Sequence, residues 1–224
     1  MTRAVICDVN ETLLDLGALD PLFAGWFGEP GVRRDWFTLT LHIAMTCAAT
    51  RTYRPFGEIG AAALAECANR RGAALPADAS AQLREAIADL PAHPDVVPAL
   101  STLHDAGFLV SALSNNPLAV LREQMRRSGL DSYLVAVMSV EEAGALKPAP
   151  EVYHFAIKRL GLPPEETWMV AAHGWDIAGA QRAGLRGAFV ARPGQYPDPL
   201  SPPAISGPDL TAVASRILST SGAG

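Results

Sequence analysis

The sequence predicts an α/β fold: a doubly wound parallel sheet covered by helices, with a helical cap inserted after the first strand. Three observations carry that reading. Short apolar runs recur near the start and through the C-terminal half, helix signals with readable ends separate them, and the long stretch in between holds helical patterns and no strand.

The apolar runs are AVICDV (4–9), FLVSAL (108–113), LVAVMS (134–139), TWMVAA (167–172) and RGAFVA (186–191). Each is short and apolar on both faces, as a strand must be when helices cover both sides of its sheet. Between them, Asn116 can cap a helix with Pro117 at its first position, and Gly129 ends that run. Pro150 opens EVYHFAIKRL, which Gly161 closes, and a short helix over 175–183 stops at Gly184. Strands and helices alternating at this spacing give a parallel sheet with crossover helices.

The segment 16–94 breaks the rhythm with TLTLHIAMTCAAT, GEIGAAALAECANRR and DASAQLREAIADL, all Ala-rich and helical in pattern. A wholly helical insert at this point would cap the carboxyl edge of the sheet, where ligands of such sheets bind. Otherwise the same helices pack on one face of a single domain. The expected division is a core of 1–15 with 95–224 and a cap of 16–94. The tail PGQYPDPLSPPAISGPDL reads as irregular, with a short helix after it.

Composition narrows the function. The chain has 224 residues, 49% hydrophobic and 18% charged, with a formal net charge of −5, an ordinary globular balance without a basic footprint for nucleic acid or anionic membrane. A small anionic substrate then needs local positive groups. No apolar run approaches the roughly 20 residues of a membrane span. MTRAVICDV enters a strand at once, without the apolar segment of a signal peptide. Cys7, Cys47 and Cys67 have no metal-ligand spacing and suit a reducing cytoplasm.

Three polar stations stand at strand ends: Asp8 to Thr12, Ser114–Asn115, and His173 to Asp176, while Lys147 enters from the loop before a helix. All carboxyl ends of a parallel sheet share one edge, so these stations converge there. Asp8 either caps a turn through backbone N–H groups or does chemistry. Held near Lys147 it would stay ionised and be available as a nucleophile, with Thr12 holding one oxygen. Lys147 is either a solvated lysine or, fixed by Pro148, part of the site.

These residues resemble the haloacid dehalogenase superfamily, and within it the type II (L-2-haloacid dehalogenase) branch. The likeness runs through CDVNETLLDL, LSNNP, LKPAPEVY and VAAHGWDIAGA. It implies a Rossmann-like core with a helical cap, Asp8 as nucleophile, Ser114 and Asn115 as the second motif, Lys147 as the motif lysine and Asp176 as the last acid. Phosphatases of the superfamily carry a second Asp two places after the nucleophile, as acid/base for the leaving alcohol. Here Asn10 stands there, and an amide cannot shuttle a proton; halide needs none. Mg²⁺ would be required only for the phosphatase alternative, and Asp8 with Asp176 is a thin oxygen shell for it. The expectation is therefore a cofactor-free dehalogenase that releases halide from a small anionic 2-haloacid. A phosphatase, or a non-catalytic binding protein on the same fold, is the alternative. The resemblance also suggests a homodimer, compatible with exposed apolar residues in the cap (Trp26, Phe27, Trp36, Phe37).

In the expected mechanism Asp176 activates water, assisted by His173 and oriented with Lys147; His173 is either a base or an orienter. Candidate substrate contacts are Asn10, Ser114, Asn115, Tyr153, Trp175 and Phe37, with backbone N–H groups at the start of the Pro117 helix as further anion donors. Tyr153 and Trp175 are either aromatic walls of the site or plain core. The sequence departs from the family in two places. The usual D-x-Y-G-T has Asn10 and Glu11 in place of Tyr and Gly, and the family's cap arginine aligns near WFTLT, at Trp36 and Phe37. Arg33, Arg34, Arg51 and Arg54 are the candidate replacements.

Overall fold

The computed structural model describes residues 3–192, 196–197 and 199–221. Six parallel strands form one sheet in the order β3-β2-β1-β4-β5-β6. They are β1 (Ala4–Cys7), β2 (Leu109–Ser114), β3 (Ala136–Ser139), β4 (Thr167–Ala171), β5 (Arg186–Val190) and β6 (Ile205–Gly207). Five match the apolar runs of the sequence. The sixth lies inside the tail expected to be irregular, and is a correction. It is three residues long and, among the described residues, pairs only with β5, too short to show a period. Pro193, Gly194, Gln195 and Asp198 of that tail lie outside the described residues.

The central strand β1 is flanked by β2, aligned with Cys7 opposite Ala112, and by β4, with Cys7 opposite Val170. The order reverses here, which opens a crevice beyond the carboxyl ends of these three strands. Val5, Ile6, Val110, Leu113, Met169 and Val170 are fully buried beneath it. The helices α5 (Val96–Asp105), α6 (Leu118–Arg127), α7 (Pro150–Leu160), α8 (Gly174–Arg182) and α9 (Leu210–Ser221) cover the sheet. Asn116 does not cap α6. Pro117 takes that position, the Leu118 N–H is met by Glu141 Oε2 at 3.1 Å, and the Asn116 side chain turns to Asn10 and Gln124.

Between β1 and α5 the chain forms only helices: a short 3₁₀ turn, then α1 (Asp20–Phe27), α2 (Val32–Ala49), α3 (Phe56–Arg71) and α4 (Ala79–Ala88). It leaves and re-enters at one point. Asp15 N–H donates to Pro91 O at 2.9 Å and His93 N–H to Leu13 O at 3.0 Å. Inside this layer the Phe23 ring meets Trp26, Phe27 and Trp36 at 5.5, 6.0 and 5.3 Å, and Trp36 Nε1 donates to Gly60 O at 2.8 Å, tying α2 to α3. Trp36 and Phe37 are buried, Trp26 and Phe27 half-buried. The exposed cap patch read from the sequence is thus a packed cluster. Among the described residues, no helix is long and apolar enough to cross a membrane.

Candidate active site

Asp8 follows the last residue of β1, and its N–H still donates to Val170 O on β4 at 2.9 Å. The chain then turns sharply: Thr12, Leu13 and Leu14 N–H groups all return to Val9 O. This turn brings Thr12 Oγ1 to Asp8 Oδ2 at 2.8 Å, while Ala172 N–H donates to the same hydroxyl at 2.9 Å. Arg192 clamps the turn from outside, donating to Thr12 O at 2.8 Å and to Asp95 at 2.9 Å.

Lys147 comes from the loop before α7. Asn115 Oδ1 accepts its backbone N–H at 3.0 Å. Its ammonium is fully buried and donates to Asp8 Oδ1 (3.1 Å), Asp176 Oδ2 (2.8 Å) and Leu113 O (2.7 Å), which uses all three of its protons. Burial alone would push the Asp8 carboxyl up, but Lys147, His173 and Thr12 outweigh it and hold it well below the usual carboxylate range. Burial raises Asp176 instead, and the Asp8 charge adds to that, against Lys147 and Tyr153. Burial opposes the Lys147 charge, yet the two carboxylates raise its pKa overall. Of the two acids, Asp8 is the one whose charged form its surroundings favour more strongly. Cys7 does not compete with it, because burial and the Asp8 charge push its thiol up to about 12.

The remaining predicted residues divide. Tyr153 is fully buried and donates to Asp176 Oδ1 at 2.5 Å, so it stands behind the acid and not as a wall of an open site. Ser114 Oγ accepts the Asn116 N–H at 3.1 Å. That bond and the Leu118–Glu141 bond occupy two of the N–H groups expected to hold an anion at the start of α6. Asn10 joins a cluster of amides: Asn116 Nδ2 donates to Gln124 Oε1 at 2.9 Å, and Gln124 Nε2 donates to Asn10 Oδ1 at 3.2 Å and to Ile87 O at 2.9 Å. Asn10 and Asn116 line a cavity of about 330 Å³ between the helical insert and the core, whose walls also include Trp36, Phe37, Phe56, Glu58, Leu83 and Arg84.

His173 stands just beyond β4. Trp175 stacks on its ring at 5.4 Å and Phe37 approaches at 6.0 Å. Its Nε2 meets Glu11 Oε2 at 2.8 Å, and Nδ1 faces Asp8 Oδ2 at 3.7 Å. Glu11, which the sequence reading did not name as a site residue, adopts φ 63°, a left-handed conformation that costs a non-glycine residue about 1–3 kcal/mol. Its one signal was that it replaces the family's glycine. Arg33 reaches Glu11 Oε1 at 3.6 Å but is bound to Asp20 at 2.5 Å, while Arg34, Arg51 and Arg54 are exposed. Arg33 thus serves Glu11 and Asp20.

A model of haloacid dehalogenase-like hydrolases matches residues 2–184. This chain belongs to that family. Among curated members of the haloacid dehalogenase-like family, it is 32% identical over 194 residues to (S)-2-haloacid dehalogenase 1 of Pseudomonas sp. (strain CBS-3), covering 85% of each chain. It is 34% identical to (S)-2-haloacid dehalogenase 4A of Burkholderia cepacia over 117 residues, and this match spans about half (51%) of that protein's length. In fold it resembles the L-2-haloacid dehalogenase of Xanthobacter autotrophicus solved with chloropropionic acid covalently bound. The TM-score is 0.89 at 23% identity, covering 97% of this chain and 99% of that one. The family fold, a Rossmann-like core with a helical cap, is the architecture found here.

Proposed function

We propose that this chain is a hydrolytic dehalogenase that displaces halide from a short 2-haloalkanoic acid through an ester on Asp8, yielding the 2-hydroxyacid. The observation that carries the reading is the state of Asp8: an ionised carboxylate, fixed on both oxygens by Thr12 and Lys147, with an amide at position 10 where a proton-transferring acid would stand. A carboxylate so held can attack carbon in line. The halide leaves with the bonding pair and takes no proton, so neither an acid nor a metal is needed for that step. Lys147 and Thr12 hold Asp8, Asp176 holds Lys147, Tyr153 holds Asp176, and water then cleaves the ester at the Asp8 carbonyl. Ser114, whose oxygen already accepts from Asn116, has its own proton free for the substrate carboxylate. Residues 16–94 act as the cap that closes over the substrate and excludes water. The similarity to (S)-2-haloacid dehalogenases supports this chemistry. A cytoplasmic homodimer belongs to the same reading, and sedimentation equilibrium reports its stoichiometry.

The test is halide release from chloroacetate, bromoacetate and each enantiomer of 2-chloropropionate, with Asp8→Asn as control. A single turnover in ¹⁸O water should place label in Asp8 and leave the first product unlabelled. Phosphate release from small esters with Mg²⁺, without halide release above the control, would transfer the chain to the phosphatase reading.

A further inference from the structure

Hydrolysis of an ester on Asp8 needs a base beside that side chain. Asp176 is badly placed for the task. It is fully buried, Lys147 Nζ occupies one oxygen at 2.8 Å, and the Tyr153 hydroxyl occupies the other at 2.5 Å. Both of its oxygens thus already hold a donor, in a side chain closed to solvent.

His173 differs in having an unoccupied nitrogen. Its side chain keeps 11% exposure, and its Nδ1, itself buried, faces Asp8 Oδ2 at 3.7 Å with no hydrogen-bond partner among the described residues. Trp175 and Phe37 confine the ring, and Glu11 fixes its rotation and tautomer through Nε2. With the proton on Nε2 facing Glu11, the lone pair of a neutral ring lies on Nδ1, toward Asp8. We infer that His173, oriented by Glu11, is the base that activates water against the Asp8 ester, with Asp176 confined to positioning Lys147.

The charges around the ring give the order of events. Asp8 faces it from the end of β1, Glu11 from the following turn, and Arg33 from α2 behind Glu11; Lys147 and Asp176 lie beyond Asp8. In the free enzyme burial disfavours the charged ring, but Asp8 and Glu11 outweigh burial and raise it to about 9, so His173 is an imidazolium beside an ionised nucleophile. Forming the ester removes the Asp8 charge, and the ring then releases its Nδ1 proton to solvent, the one proton of the overall reaction. Neutral His173 takes a proton from water as the water oxygen bonds to Asp8 Cγ. The bond from Cγ to the alkyl oxygen then breaks, and the second water proton ends on the 2-hydroxyacid. Asp8 is again a carboxylate and His173 again an imidazolium.

This inference rests on the ester reading above, and rapid mixing of His173→Asn with excess 2-bromopropionate separates the two. The expected result is a burst of about one halide per active site, accumulation of the Asp8 adduct by mass spectrometry, and steady turnover reduced roughly 100-fold or more. Wild-type turnover without adduct overturns the inference and leaves the ester reading standing. Slow halide release without adduct also overturns it, since His173 would then serve the first step. Absence of halide release from the wild-type enzyme refutes the ester reading, and this inference with it. Glu11→Gln supplies a second readout as a positioning variant. Losing that charge should move the acidic limb of the adduct-hydrolysis profile to lower pH by about one unit or more; an unmoved limb contradicts the assignment.

Discussion

Lys147 Nζ reaches Asp8 Oδ1 at 3.1 Å across 139 residues of sequence, and its remaining protons go to Asp176 and the Leu113 carbonyl. The ammonium therefore fixes the nucleophile, the last acid and the end of β2 at once. Lys147→Met keeps much of the volume but leaves two buried carboxylates facing each other. Removing one partner of a buried ion pair costs about 3–5 kcal/mol, because the remaining charge is uncompensated. Urea denaturation should show a loss of that size, and halide release should disappear, since an Asp8 that can protonate is no nucleophile.

The His173 contacts make stability depend on pH in the neutral range. Its folded pKa, about 9, lies above the 6.5 of a free imidazole. A raised value stabilises the fold fully below pH 6.5, and the contribution is lost as pH rises toward 9. The displacement corresponds to roughly 3 kcal/mol for this mostly buried ring. Asp8 works in the opposite sense at acid pH. Its folded pKa is depressed, so its contribution is present above about pH 4 and lost as pH falls further. Thermal melts from pH 5 to 10 should show the wild-type enzyme falling between 6.5 and 9 and His173→Asn flat over that window.

How far the sequence revealed this arrangement depends on the kind of interaction. Strands β1, β2, β4 and β5 were readable because residues buried on both faces leave unbroken apolar runs, and α7 because Pro150 and Gly161 mark its ends. Asp8, Lys147 and Asp176 were readable because a parallel sheet brings its strand ends to one edge. The pairing of Glu11 with His173 and of the Asn116 and Gln124 amides with Asn10 was not, since these partners lie 106–162 residues apart and no local period encodes such a pairing. Tyr153 was legible only as an aromatic residue. Its hydroxyl gained a role when α7 packed against α8.

Gly179 of α8 faces that hydroxyl. A Cβ at this position would stand 2.7 Å from Tyr153 Oη and 2.7 Å from both Pro148 Cβ and the Pro148 carbonyl oxygen. Two of those atoms belong to the segment that carries Lys147, so the helix must retreat or the lysine loop must shift. Overpacking of this kind costs about 1–3 kcal/mol. Gly179→Ala should therefore lower the melting temperature and reduce kcat more than KM, because the displaced group positions the nucleophile and does not bind substrate. Gly25→Ala, with open space around its Cβ, is the matched control.

The cavity between the helical insert and the core borders the turn after Asp8 through Asn10, and on the ester reading the substituent at the α-carbon extends into it. Its volume of about 330 Å³ and its walls of Trp36, Phe37, Phe56, Leu83 and Val120 exceed what a haloacetate needs and favour apolar substituents at the α-carbon. Each methylene moved from water into such a space is worth about 0.8 kcal/mol, or roughly fourfold in kcat/KM. From bromoacetate through 2-bromobutyrate to 2-bromohexanoate, kcat/KM should therefore climb before it levels off. Ala61, on the α3 wall, offers the means to check this. Ala61→Leu should cut the ratio of kcat/KM for 2-bromohexanoate over bromoacetate by about tenfold or more. A flat series in the wild-type enzyme, or an unchanged ratio in the variant, would place the substituent outside this cavity.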